Sequence, residues 1–294
     1  MKIKHLLCFI ALCLFFTPGK AQQLSVMTLR NGATVYIWED KSKPDVFGMI
    51  AFKVGSVDDP EQYTGLAHYL EHVMFKGTQT IDALDWEKEK PIYEKIIAKY
   101  DERAALSDPA AREAVDKEIN DLTREAAQYA AGNEFSLLVD HMGGQGLNAS
   151  TGYDQTEYHN SFPPSQLEKW LEIYSERLID PVFRGFQTEL EAVYEEYNMY
   201  NDDRGSRMRE FIYEQAFGDH PYARPIIGLP EHLKNPQLSK LIDFYNTWYG
   251  PQNMSIILVG NIDAKEAIPM IRDKFERVPR RAEIHREKKP VHQF

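Results

Sequence analysis

The spacing of apolar residues changes several times along this chain, and each change marks an element. From Ser25 to Asp40, apolar and polar residues alternate in two runs that flank Asn31-Gly32, which predicts a β-hairpin turning at that pair. Phe47 to Gly55 reads as a third strand, and Asp58-Asp59-Pro60 as a turn. The spacing then becomes helical, predicting a helix from about Glu61 to Phe75 that is closed by Lys76-Gly77. Residues 79–132 are charged, contain many alanines and keep helical spacing, so they read as a solvated helical hairpin inserted between other segments. Within it, Pro91 is placed to begin one helix and Ser107-Asp108-Pro109 to cap another.

Further on, Gly143 to Ser150 and Thr156 to Phe162 predict a turn and two short strands. Pro163-Pro164 opens a helix to about Ile179 that Pro181 ends, and a second helix runs from about Gln187 to Asn201. Asn253 to Gly260 is an apolar strand, and Ala264 to Phe275 a closing amphipathic helix. Strands and helices mix without regular β-α alternation. That predicts an α+β fold, a two-layer α/β sandwich with a largely antiparallel sheet.

The N-terminus follows a different pattern. Lys2 and Lys4 precede an apolar run, Leu6 to Phe16, and Thr17-Pro18-Gly19-Lys20-Ala21 follows it. This predicts a signal peptide over residues 1–21 and a periplasmic or secreted protein. The run is too short for a permanent membrane span. Cys8 and Cys13 both fall inside it, so no disulfide framework is expected in the mature chain. The net charge is −11, and removing the signal takes three lysines and no acid. So acidic a chain argues against nucleic acid or anionic lipid as a main partner.

The candidate chemistry lies in the first predicted helix, where residues 68 to 72 read His-Tyr-Leu-Glu-His. Histidines at i and i+4 share one helix face and can reach one metal ion, with Glu71 beside them. The order H-x-x-E-H is the inverted zinc-protease motif. A catalytic zinc needs a third protein ligand and keeps an open position for water. His141, His159 and the acidic run Glu189 to Glu196 can each supply that ligand. On a helix Glu189 and Glu196 share a face, whereas Glu191 and Glu195 point elsewhere.

GLAHYLEHVMFKGT, GLNAST and ELEAVYEEYNMYND together resemble the pitrilysin/insulinase family of zinc metallopeptidases. The resemblance continues through HPYARPIIGLPEHLKN, YNTWYGPQNMSIILVGNID and the helix ending in Lys274-Phe275, covering roughly residues 24 to 280 in the family's order. It implies the family's metallohydrolase-like fold, with residues 22–279 as the N-terminal catalytic domain, 79–132 as an insert within it, and 280–294 as a linker or truncated tail. It further implies that His68, His72 and Glu196 hold Zn²⁺, with Glu195 as the alternative third ligand. Glu71 would be the general base and then acid, and Glu189 would orient a histidine ligand. Asn148 and Ala149 fall on the family's edge strand, which pairs with extended peptide substrate.

The same resemblance implies further homologous domains or a partner chain. These would complete a peptide-enclosing chamber and supply an Arg/Tyr pair that has no match in this sequence. The expected activity is hydrolysis of peptide bonds in unfolded peptides. A non-catalytic peptide-binding subunit is the alternative, which the presence of Glu71 argues against. A hydrolase or lyase for small molecules is a third reading, against which the peptide-strand segment counts. Two imidazoles and a carboxylate also accept manganese or cobalt.

Overall fold

The computed structural model describes residues 23–281, 283, 284 and 286. The expected signal peptide and most of the C-terminal tail lie outside these residues. Six strands form one sheet: β1 (Gln23–Thr28), β2 (Thr34–Glu39), β3 (Val46–Phe52), β4 (Gln145–Thr151), β5 (Thr156–Phe162) and β6 (Met254–Gly260). Their order is β1-β2-β6-β3-β5-β4, and every pair is antiparallel except β2 with β6. Strands β3, β5 and β6 bury alternate residues, so one face of the sheet is core. Helices cover that face, which makes the expected two-layer α+β arrangement.

The Asn31-Gly32 turn joins β1 to β2, with Gly32 at φ +102°. Asn31 is buried, and its amide donates to the carbonyls of Phe275 (2.7 Å) and Val278 (3.1 Å), tying the hairpin to the last helix. At the sheet's centre Gly48 lies against Trp170, whose ring a Cβ would meet at 2.5 Å. Asn160 on β5 is buried beside it, and its oxygen accepts from Trp170 Nε1 and Tyr174 Oη. That satisfies the strand's one buried amide oxygen.

The first helix, α1 (Leu66–Val73), starts later than the sequence suggests. Gly65 precedes it at φ +89°, and the buried Asp59 carboxylate accepts from the N–H groups of Gly65 (2.7 Å) and Ala67 (2.9 Å). The turn from Asp59 to Gly65 therefore consumes residues 61–65 and fixes the start of the helix. At its other end the buried Arg177 donates from Nη2 to the Met74 carbonyl, 3.0 Å. Its guanidinium carbon is 4.3 to 4.8 Å from the ring centres of Phe75, Phe135 and Tyr158.

The segment read as an insert forms α2 (Trp86–Ala105) and α3 (Pro109–Ala126). Ion pairs Lys99–Glu118 and Arg103–Asp116 run in opposite order along the two helices, so they are antiparallel. Two expectations need correction. Pro91 lies inside α2; the helix starts at Trp86 because the Asp85 carboxylate accepts from Lys88 N and caps it. The hairpin is also not merely solvated, since Glu89, Ile92, Ile96, Tyr100, Val115 and Ile119 are buried. Its ends meet at an antiparallel bridge between Ala83 and Ala130.

The remaining helices are α4 (Glu134–His141), α5 (Leu167–Glu176), α6 (Phe186–Asp202), α7 (Arg204–Phe217), α8 (Pro230–Leu233), α9 (Leu238–Trp248) and α10 (Ala264–Phe275). Helices α5, α6 and α10 match their expected segments; α4, α7, α8 and α9 were not anticipated. No helix among the described residues is long and apolar enough to cross a membrane.

Candidate metal centre

Helices α1 and α6 cross so that the i, i+4 histidine face of α1 meets the middle of α6. His68 Nε2 lies 3.6 Å from Glu196 Oε2, and His72 Nε2 lies 3.5 Å from the same oxygen. The two imidazole rings are 4.9 Å apart at 69°. Among the described residues His68, His72 and Glu196 are the one group of three or more such side chains whose ligand atoms converge, all within 4.8 Å of one another. A tetrahedral zinc with bonds of about 2.1 Å separates its ligand atoms by about 3.4 Å. Two nitrogens and a carboxylate oxygen at this spacing, with the neighbouring cavity on one side, therefore fit a three-ligand site with an open position.

The other expected residues fall into two groups. Glu189, two turns before Glu196 on α6, places Oε2 3.5 Å from His72 Nδ1, while its Oε1 lies 2.5 Å from Lys76 Nζ. Glu71 is buried, and its Oε2 accepts from Thr151 Oγ1 at 2.5 Å. Asn148 and Ala149 lie on β4, the edge strand, opposite His159 and Tyr158 of β5. The alternative ligands are elsewhere. Glu195 is exposed on α6, His141 is exposed at the end of α4, and His159 points off the outer face of β5 beside Phe47.

Burial sets the electrostatics of the metal-free site. It pushes His68 down to about 4, with His72 adding to the effect, so this ring is neutral at pH 7 and can offer a lone pair. Burial also opposes the charge on His72, but hydrogen bonding to Glu189 and Glu196 outweighs it and raises that ring to about 9. Glu189 and Glu196 are both held below the usual carboxylate range, chiefly by His72. Burial raises Glu71, partly offset by the Thr151 hydroxyl.

An open cavity of about 430 Å³ adjoins these groups, with His68, Glu71, Glu196, Tyr153, Arg209 and Ile227 among its lining. Thr151 and Lys76 escaped the sequence reading, although each had a signal. Lys76 continues the 68, 72 stripe by one turn, and Thr151 shares a β4 face with Ala149.

A family model described as insulinase (peptidase family M16) matches residues 34–90 and 122–229, leaving residues 91–121 of the α2–α3 hairpin unmatched. A second, described as the peptidase M16 inactive domain, matches residues 237–294. Strand β6 lies within that second match yet pairs with β2 and β3, so both matched regions build one sheet. Among relatives, the probable zinc protease PqqL of Escherichia coli is 25% identical over 270 residues, 88% of this chain and 23% of that protein. The zinc protease PqqE of Helicobacter pylori is 24% identical over 254 residues, 85% of this chain and 46% of that protein. The chain thus spans less than half the length of either.

Solved structures share the fold. A protease from Helicobacter pylori superposes with a TM-score of 0.70 at 22% identity, covering 92% of this chain and 54% of that one. The first half of the periplasmic protease PqqL from Escherichia coli gives 0.69 at 24%, covering 92% and 50%. Pitrilysin gives 0.68 at 22%, covering 94% and 25%.

Proposed function

Because the chain belongs to the insulinase family of peptidases, peptidase family M16, we propose that it is the metal-binding part of a zinc endopeptidase acting on unfolded peptides. The observation that carries this reading is the convergence of His68 Nε2, His72 Nε2 and Glu196 Oε2, with Glu71 beside them. These three side chains would hold the ion. When bound, zinc supplies Lewis acidity and lowers the pKa of a coordinated water toward about 7.

The chain's own groups account for the rest. Glu71 Oε2 is engaged by Thr151, which leaves Oε1 to take a proton from the attacking water and pass it to the leaving amine. Burial raises this carboxyl, which suits a group that must both accept and return a proton. Glu189 fixes the His72 ring through Nδ1 and is itself held by Lys76. Among the described residues β4 ends the sheet, and its outer edge at Asn148 and Ala149 would offer backbone groups to an extended peptide.

The basic, apolar N-terminus supports export to the periplasm or beyond the cell. Since the match spans only 23% and 46% of these two relatives, further homologous domains or a partner chain would complete the enzyme.

The test measures bound zinc and cleavage of an unstructured peptide, with and without the second half. Glu71→Gln is expected to keep one zinc and lose cleavage, and Glu196→Gln to lose zinc. Full cleavage by Glu71→Gln would overturn the assignment. Normal zinc in Glu196→Gln together with loss in Glu195→Gln would move the third ligand.

A further inference from the structure

We propose that the α2–α3 hairpin is a positioning element for the metal centre, acting through the buried Glu89–Arg184 pair. This rests on His68, His72 and Glu196 being a zinc site. Arg184 immediately precedes Gly185, which sits at φ +62° as the N-cap of the ligand helix α6. Its guanidinium forms a two-pronged pair with Glu89 of α2, Nε to Oε1 at 2.6 Å and Nη2 to Oε2 at 2.7 Å. The Glu89 side chain is 2% exposed and that of Arg184 11%. The remaining arm, Nη1, donates to the carbonyls of Lys76 (3.2 Å) and Ile81 (3.4 Å). Lys76 lies three residues past the end of the histidine helix, and its own ammonium holds Glu189. One side chain thus joins the end of α1, the start of α6 and the hairpin.

The contact is continued along a single stripe of α2. Glu89, Tyr93 and Tyr100 follow the i, i+4, i+11 spacing of one helix face. Tyr93 Oη accepts from Phe183 N at 3.3 Å. The Tyr100 ring packs on Phe186 at 4.7 Å, and its hydroxyl donates to Gln187 Oε1 at 3.4 Å. The Phe186 ring in turn packs at a tilt against Tyr69, centroids 4.9 Å apart, and the Tyr69 hydroxyl donates to the Phe186 carbonyl. The stripe therefore grips residues 183–187, the lead into α6, and passes that grip to α1 between the two histidines. Slackening it would let the helices shift relative to each other, and the three ligand atoms depend on that spacing.

The pair can be removed as a unit. Glu89→Leu with Arg184→Met leaves no unpaired buried charge or amide at the pair, the apolar replacement of a buried ion pair that folded proteins often tolerate. Arg184→Lys keeps a cation beside Glu89 but loses the fork and the arm to the two carbonyls. The zinc dissociation constant is measured by competition with a chromophoric chelator on the full chain. The visible spectrum of the cobalt-loaded chain and the thermal midpoint are measured in parallel. Ile271→Val in α10, which packs on α5, serves as a control for general destabilisation.

Both pair variants are expected to bind zinc about tenfold more weakly, the scale seen when outer-sphere support of a metal site is lost. Their cobalt spectra should shift, while Ile271→Val moves only the midpoint. Wild-type zinc affinity and an unchanged cobalt spectrum in either pair variant would overturn the positioning role. A wild type that binds no zinc would instead overturn the metal site itself, and this inference with it.

Discussion

His72 stands between two carboxylates, and in the metal-free chain that position keeps it protonated. Its value of about 9 lies above the ordinary 6.5. The stabilising effect of its charge is therefore complete below about 6.5 and lost as pH rises through about 9. On the proposed site zinc would need the neutral ring, so binding at pH 7 would expel this proton. Titration calorimetry in buffers of different ionisation enthalpy is expected to show close to one proton released per zinc at pH 7, with affinity climbing until about pH 9. Proton-neutral binding at pH 7 would contradict the arrangement. The histidines and Glu71 could be read from the sequence because their relation is local, one helical turn. Glu196 and Glu189 needed the family resemblance, since nothing in the acidic run itself separates a ligand from a solvated face. Thr151 shares a β4 face with Ala149, but its partner Glu71 lies 80 residues away and the contact exists only after the sheet edge meets α1.

At the scale of elements, helices begin where their first N–H groups find acceptors. For α1 that acceptor is Asp59, six residues before Gly65, and no local capping pattern reveals it. Asp59→Ala leaves two buried donors unmet and is expected to cost about 2 kcal/mol, read as a shift of the urea midpoint at constant slope. A midpoint within error of wild type would mean that the turn, not the carboxylate, starts the helix. Strands β3, β5 and β6 were legible through their alternation or apolar runs, and α10 through its stripe. Helix α7 was not, because it carries no clean apolar face toward the core. Met208, Phe211 and Ile212 are all more than half exposed on it, so its period points outward. The insert was legible as helical but not as packed. Its buried stripe is narrow, and the charges around it resemble those of any solvated helix.

For the molecule as a whole, the family match ends at residue 90, inside α2, and resumes at residue 122, inside α3, so both helices are rooted in the matched fold. The Ala83–Ala130 bridge carries a consequence for chain engineering. Because both ends of the excursion meet there, residues 84–129 can be cut out and the ends rejoined by a short turn without moving any strand of the sheet. Connectivity permits the deletion, but surface chemistry opposes it, because it uncovers Phe183, Phe186 and the unpaired guanidinium of Arg184. The shortened chain is expected to keep the circular dichroism of the α+β sandwich while binding a dye specific for exposed apolar surface and melting at a lower temperature. Dye binding no greater than that of the intact chain would mean that other groups close over the gap. The same meeting point makes the hairpin tip at residues 106–108 a handle. A fluorophore or tether attached there hangs from two closely spaced anchors and reports on the α2 stripe while leaving the outer edge of β4 open.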